Sequence, residues 1–149
     1  MRKFLLPVIN LINLILVSIT WGLTKQTAVV DKEFASEPRG IYYQIVWGGT
    51  KPNVLAIVGF FLFIATCVAI LVAFLPLKVR KFITCAGGLM SVASGVIFLL
   101  SPKPKFYDCS IVEPKLTGAC IAMAVLVFVA GAFLLLMSVI EFLPEKKSK

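Results

Sequence analysis

PNVLAIVGFFLFIATCVAILVAFLPL, residues 52–77, runs from one proline to the edge of a basic turn without a charged side chain. A helix on a soluble protein is apolar along one stripe, whereas this stretch is apolar all round, as a helix immersed in hydrocarbon has to be. At about 1.5 Å rise per residue it is long enough to cross a hydrocarbon core of about 30 Å. An isolated segment in lipid must pair every backbone amide within itself, and only a helix does that.

Working outward, the same reading applies to residues 82–102, beyond a tight basic connector, and to residues 4–24 and 116–140. A composition that is 60% apolar, with a mean hydropathy of +1.00, agrees with four spans in a chain of 149 residues. The sequence therefore predicts an all-α membrane protein, a four-transmembrane-helix bundle forming a single domain over residues 1–149. Residues 25–51 and 103–115 are its two longer loops.

The formal net charge of +8 does not point to nucleic acid. A basic groove spreads Lys and Arg over one folded face, often among stacking aromatics. Here they cluster between apolar runs: Arg2 and Lys3, then Lys78, Arg80 and Lys81, then Lys146, Lys147 and Lys149. The loop 25–51 dilutes its basic residues with Asp31, Glu33 and Glu37, and the loop 103–115 sets Asp108 and Glu113 against its lysines. The positive-inside rule then places both termini and the second connector in the cytoplasm, with the two longer loops outside, and the basic clusters against anionic lipid head groups. Every Trp and Tyr (Trp21, Tyr42, Tyr43, Trp47 and Tyr107) falls on or beside those outer loops, where amphipathic rings favour the head-group region. Glu141 is expected at the inner membrane edge, in reach of water.

A basic start before an apolar run also describes a secretory signal. The run stays uncharged to Thr24, and its one weak cleavage pattern, Thr20-Trp21-Gly22, has a bulky ring beside the site, so residues 4–24 are read as a retained span.

Asn10, Asn13, Thr20 and Thr24 join Val17 on one face of the first helix. An asparagine in hydrocarbon needs a partner for its amide, so this face is expected to turn toward other helices, either to fix packing or to line a polar path. Small residues recur at four-residue spacing in the other spans: Ala65, Ala69 and Ala73; Gly87, Ser91 and Gly95; Gly118 and Ala122. Such rows let helix backbones approach closely and are expected to seal the bundle or to serve self-association.

Between residues 4 and 140 charge is confined to the connectors, and there is no histidine. Ion- or proton-coupled transport ordinarily needs an intramembrane group that changes or compensates charge. Small multidrug exporters share the span count, but their membrane-embedded glutamate in the first helix has no counterpart here. No CxxC pair or His/carboxylate cluster suggests a metal, no nucleophile has a positioned base, and Gly48-Gly49-Thr50 and Gly87-Gly88 lack the Lys and spacing of a phosphate loop. The Glu-Arg polar motif of membrane glutathione-handling enzymes is absent too. No enzyme activity, metal, cofactor or small-molecule substrate is expected.

Cys109 and Cys120 fall on the expected outer, oxidising side and are read as a structural disulfide closing a short loop; Cys67 and Cys85 are read as buried hydrophobes. Quinone-linked thiol oxidases share the span layout and carry a cysteine pair in the second outer loop. They also need a reactive pair in the first, and residues 25–51 contain no cysteine.

The segment 41–47, IYYQIVW, alternates Ile41, Tyr43, Ile45 and Trp47 on one side. It reads equally as a strand pairing back on residues 27–30 in a hairpin or as a segment lying along the head groups, and Tyr43, Ile45 and Trp47 are the candidate partner surface. The layout resembles that of tetraspan proteins such as claudins, with inner termini and a β-rich first outer loop. Their Gly-Leu-Trp and loop cysteine pair do not recur beyond Trp47, so the likeness is one of architecture.

These observations predict a non-enzymatic multi-pass protein of a bacterial cytoplasmic membrane. It would act as an interaction or assembly subunit through its outer loops and small-residue helix faces, with lipids and another membrane protein, or a second copy, as partners. The alternative is a passive carrier or channel component that oligomerises around the Asn10 and Asn13 face.

Overall fold

The computed structural model describes residues 2–24, 29–31, 38–39, 53–101, 112–114 and 117–143, with side chains for 4–24, 53–101 and 117–143. Four helices, α1 (Arg2–Leu23), α2 (Val54–Val72), α3 (Arg80–Leu100) and α4 (Gly118–Phe142), are each long and apolar enough to cross a membrane. Three short extended segments, β1 (Val29–Asp31), β2 (Pro38–Arg39) and β3 (Val112–Pro114), pair antiparallel in the order β2-β1-β3. The strand expected at residues 41–47 lies outside the described residues.

The helix limits follow capping chemistry rather than the ends of uncharged runs. Asn53 starts α2, its side-chain oxygen accepting from the Ala56 amide at 3.0 Å, and Thr117 starts α4 by accepting from the Cys120 amide at 3.2 Å. At the other end the helices outrun the expected spans. Arg80 and Lys81 occupy the first turn of α3, and Glu141 the last turn of α4. Helix α2 ends before its uncharged run does, giving way at Ala73 to a turn that holds Pro76. Pro7 lies in the second turn of α1, because that helix already begins at Arg2.

Helix α3 packs most extensively on α4 and then on α2, while α1 leans on α4 and less on α2, closing a ring. Cross-helix contacts fix the alternation of direction. Asn10 meets Ile70 and Arg80 meets Glu141 at the tight-turn end; Asn53 meets Ser101 and Cys120 meets Phe98 at the long-loop end.

The buried positions repeat every seven residues in each helix. In α4 they are Cys120, Val127 and Leu134; Met123, Ala130 and Met137; Ala124, Gly131 and Ser138. Helix α3 repeats Thr84, Ser91 and Phe98 beside Gly87 and Ser94, α2 repeats Ala56, Phe63 and Ile70, and α1 repeats Leu6, Asn13 and Thr20 beside Asn10, Val17 and Thr24. A period of 3.5 residues is that of helices wound into a left-handed supercoil.

Polarity is inverted relative to a protein dissolved in water. The interior buries Asn10, Asn13, Thr66, Ser91 and Ser94, whereas Ile15, Phe61, Leu71, Leu89 and Leu136 stand exposed around the outside. Exposed apolar surface on every helix is what hydrocarbon requires and water penalises. The architecture is that of a multi-pass integral membrane protein.

Small residues set the closest approaches. A Cβ added to Gly87 would lie 2.5 Å from the Ala69 Cβ, and one added to Gly131 would lie 3.1 Å from the Gly88 carbonyl oxygen. The expected rows in α2 and α3 do face the interior, with Gly87, Ser91, Gly95, Ala69 and Ala73 buried and Ala65 partly covered. The row expected in α4 does not. Gly118 and Ala122 are exposed, nothing lies within 4 Å of a Cβ built on Gly118, and Ala124, Gly131 and Ser138 take the inner face instead.

Candidate functional site

Three of the six buried residues described on α1 are polar, Asn10, Asn13 and Thr20, and the buried Thr24 follows directly after the helix. The three-four spacing that puts them on one face also turns that face inward, since the opposite side carries Leu5, Val8, Ile12, Ile15 and Ile19. Each threonine bonds within its own helix: Thr20 Oγ1 donates to the Leu16 carbonyl at 2.8 Å, and Thr24 Oγ1 to that of Trp21 at 2.7 Å. Asn10 instead reaches across the bundle, its Nδ2 donating to the Ile70 carbonyl of α2 at 3.0 Å. Asn10 Oδ1 and both polar atoms of the Asn13 amide have no partner among the described residues, although Asn10 is 1% and Asn13 0% exposed. Asn10, Asn13 and Thr20 are thus brought onto one inner face.

The chemistry available there is hydrogen bonding without charge. Nothing on this face ionises, and no His/Cys/Asp/Glu group among the described residues has the make-up of a metal site.

A second polar cluster, at the tight-turn end, was not foreseen. Glu141 Oε1 accepts from Arg80 Nε, with the glutamate side chain 9% exposed and the arginine 29%. Next to it, Ser138 Oγ donates to the Lys81 carbonyl at 3.0 Å. Lys81 Nζ lies 4.8 Å from the Phe142 ring centroid and 5.2 Å from that of Phe82, and the two rings meet edge to face at 5.5 Å. Glu141, expected at the edge in contact with water, is largely covered, because α3 and α4 run on past the uncharged stretches and bring their terminal charges together. The signal was present in the sequence: antiparallel neighbours joined by the loop 103–115 bring residue 80 level with residue 141.

The long-loop end is closed around the last turn of α3. Asn53 Nδ2 donates to the Ser101 carbonyl at 2.9 Å while its Oδ1 caps α2, so one amide ties two helices. Cys120 Sγ, 1% exposed, lies 3.1 Å from the Phe98 carbonyl oxygen and donates its hydrogen there. Both side chains serve carbonyls that the end of a helix leaves without amide partners. Cys120 is a free thiol, and Cys109, its expected partner, lies outside the described residues, as do Tyr43, Ile45 and Trp47. Trp21 is exposed at this end, with its ring 5.8 Å from that of Phe60 and 6.0 Å from that of Phe63.

No protein-family model, curated protein or solved structure matches the chain.

Proposed function

We propose that this chain is a non-enzymatic assembly subunit of a bacterial cytoplasmic membrane, with both termini inside and residues 25–51 and 103–115 presented outside to another membrane protein or a second copy. One observation carries the reading: the polar side chains of α2, α3 and α4 are committed to holding helices together. Ser91 Oγ donates to the Val127 carbonyl at 2.7 Å, Ser94 Oγ to that of Gly59 at 2.8 Å, and Ser138 Oγ to that of Lys81 at 3.0 Å. A bundle whose spans carry no charge except at the tight-turn end, and whose hydroxyls are engaged in packing, leaves recognition to its loops.

The inward orientation of the tight turn rests on Lys78, Arg80 and Lys81. The loops act together in this reading, a hairpin in the first being joined to the second through the β1–β3 pairing of Val29, Val30 and Asp31 with Pro114, Glu113 and Val112. The carrier alternative asks for Asn10 and Asn13 on an axis between protomers, and both are buried within one.

Purification of the full chain from its native membrane in a mild detergent tests the proposal. A stoichiometric partner, or a defined homo-oligomer, that is lost in Tyr43→Ala/Trp47→Ala protein is the expected result. A monomer that by itself moves a solute across liposome membranes overturns it. The outer disulfide is tested separately by thiol labelling in denaturant. Two thiols labelled before reduction and four after it would report a bridge that replaces the Cys120 Sγ–Phe98 hydrogen bond, the chain holding four cysteines. Four thiols labelled at the outset, in protein from an oxidising compartment, exclude the bridge.

A further inference from the structure

Among the described residues, the buried polar side chains of α2 and α3 all find acceptors or donors: Asn53, Thr66, Thr84, Ser91, Ser94 and Ser101 each appear in a hydrogen bond. Helix α1 breaks this pattern within a single turn. Asn10 Oδ1, Asn13 Oδ1 and Asn13 Nδ2 are all buried and all without partners among the described residues. The remaining buried orphan, Glu141 Oε2, lies at the tight-turn end on a carboxylate already paired with Arg80.

The helix itself offers no remedy. A hydroxyl can share an occupied carbonyl one turn back, as Thr20 does with Leu16. Asn13 does not, and the flanking buried residues of its face toward either end, Ile9 and Val17, are aliphatic. Two asparagines at i and i+3 stand about 5–6 Å apart at their Cβ atoms, a span over which one small molecule can donate to both side-chain oxygens. The orphan set needs hydrogens for two oxygens and an acceptor for the NH2 group. An anion or a cation satisfies only one half of that demand. Water satisfies both, and a buried water ordinarily makes about three such bonds.

We infer that Asn10 and Asn13 bind ordered water inside the bundle, one molecule bridging the two side-chain oxygens and a second, held by the first through a hydrogen bond, accepting from Asn13 Nδ2. Helix α1 therefore meets its neighbours through these waters as well as through the direct Asn10–Ile70 hydrogen bond and aliphatic packing. The inference is independent of the partner-binding role proposed above.

The chain contains three asparagines, Asn10, Asn13 and Asn53, so labelling with 15N-asparagine gives a side-chain amide spectrum with few signals to separate. Adding 15N-methionine places reference amides at Met123 and Met137, which are buried among apolar neighbours. Magnetisation transferred from water is then followed by solid-state NMR on the full chain in deuterated lipid. The expected result is early transfer to the Asn13 side-chain amide, well ahead of the Met123 and Met137 amides, and loss of that early transfer in Asn10→Leu, which removes the other anchor while leaving Asn13 labelled. Transfer to Asn13 as slow as to the two methionines, or early transfer unchanged by Asn10→Leu, overturns the inference. Should Asn10→Leu fail to fold, Asn10→Asp, which retains an oxygen at that position, is expected to keep the early transfer, and its loss there counts against the bridge.

Discussion

Helices α3 and α4 meet as backbones, whereas α1 meets its neighbours as side chains. Between α3 and α4 a Cβ added to Gly88 would lie 3.1 Å from the Gly131 carbonyl oxygen, and one added to Gly95 would lie 3.3 Å from that of Ala124. At α1 the contact is made by Asn10 and the aliphatic residues around it. Where water is absent the hydrophobic effect cannot drive helices together, so the first interface is held by dispersion over many close contacts and the second by aliphatic packing with the Asn10–Ile70 hydrogen bond across it. The lesson is that the same seven-residue repeat supports two kinds of adhesion. One tolerates no added volume, and the other loses little when a polar contact is removed.

Substitutions that add volume should therefore do the most damage. Gly87→Ala drives a methyl group toward Ala69, whose Cβ is fixed to its own backbone, so α2 and α3 must separate. A loss of about 3 kcal/mol is expected in equilibrium unfolding by SDS. Ala69→Gly in the same chain should recover most of it, and absence of recovery would show that the contact is looser than drawn. Next in size, Arg80→Met leaves Glu141 covered without its partner and should cost about 2 kcal/mol, below the range for fully buried pairs because the arginine is partly exposed. Pairing it with Glu141→Leu should restore most of the loss, as read from the same unfolding curves. Asn53→Ala removes a cap and a tie between helices together, and a loss of about 1 kcal/mol is expected, with amide exchange quickening in the first turn of α2. The smallest effect belongs to α1. Asn10→Leu should cost about 0.6 kcal/mol, the usual size for an interhelical hydrogen bond in lipid, and a cost equal to that of Gly87→Ala would erase the contrast between the two interfaces.

The four spans were legible because hydropathy over twenty residues is insensitive to detail. The inner faces were legible only where polarity marked them, on α1 through its asparagines and on α3 through Ser91 between Gly87 and Gly95. Helix α4 gave no such mark. It is apolar on the lipid side and the inner side alike, so Gly118 and Ala122 looked as suitable as Ala124 and Gly131, and only the packing separates them. The Arg80–Glu141 pair was hidden by the habit of reading charges as the ends of spans, when long side chains let a helix carry its charges past the hydrocarbon edge. The inward turn of Asn10, Asn13 and Thr20 was readable from spacing; that Asn13 would find no protein partner was not, because it depends on which carbonyls the neighbouring helices present.

Residues 102–116 connect Ser101, at the end of α3, to Thr117, at the start of α4. Ser101 is gripped by Asn53, and one turn into α4 Cys120 grips Phe98. Both roots of that segment are thus anchored in the same knot of three helices. A binding event that tugs on the segment would load α3 and α4 as one rigid strut and pull α2 with them, at this end through the Asn53 amide, while α1, outside the knot, would feel the force last.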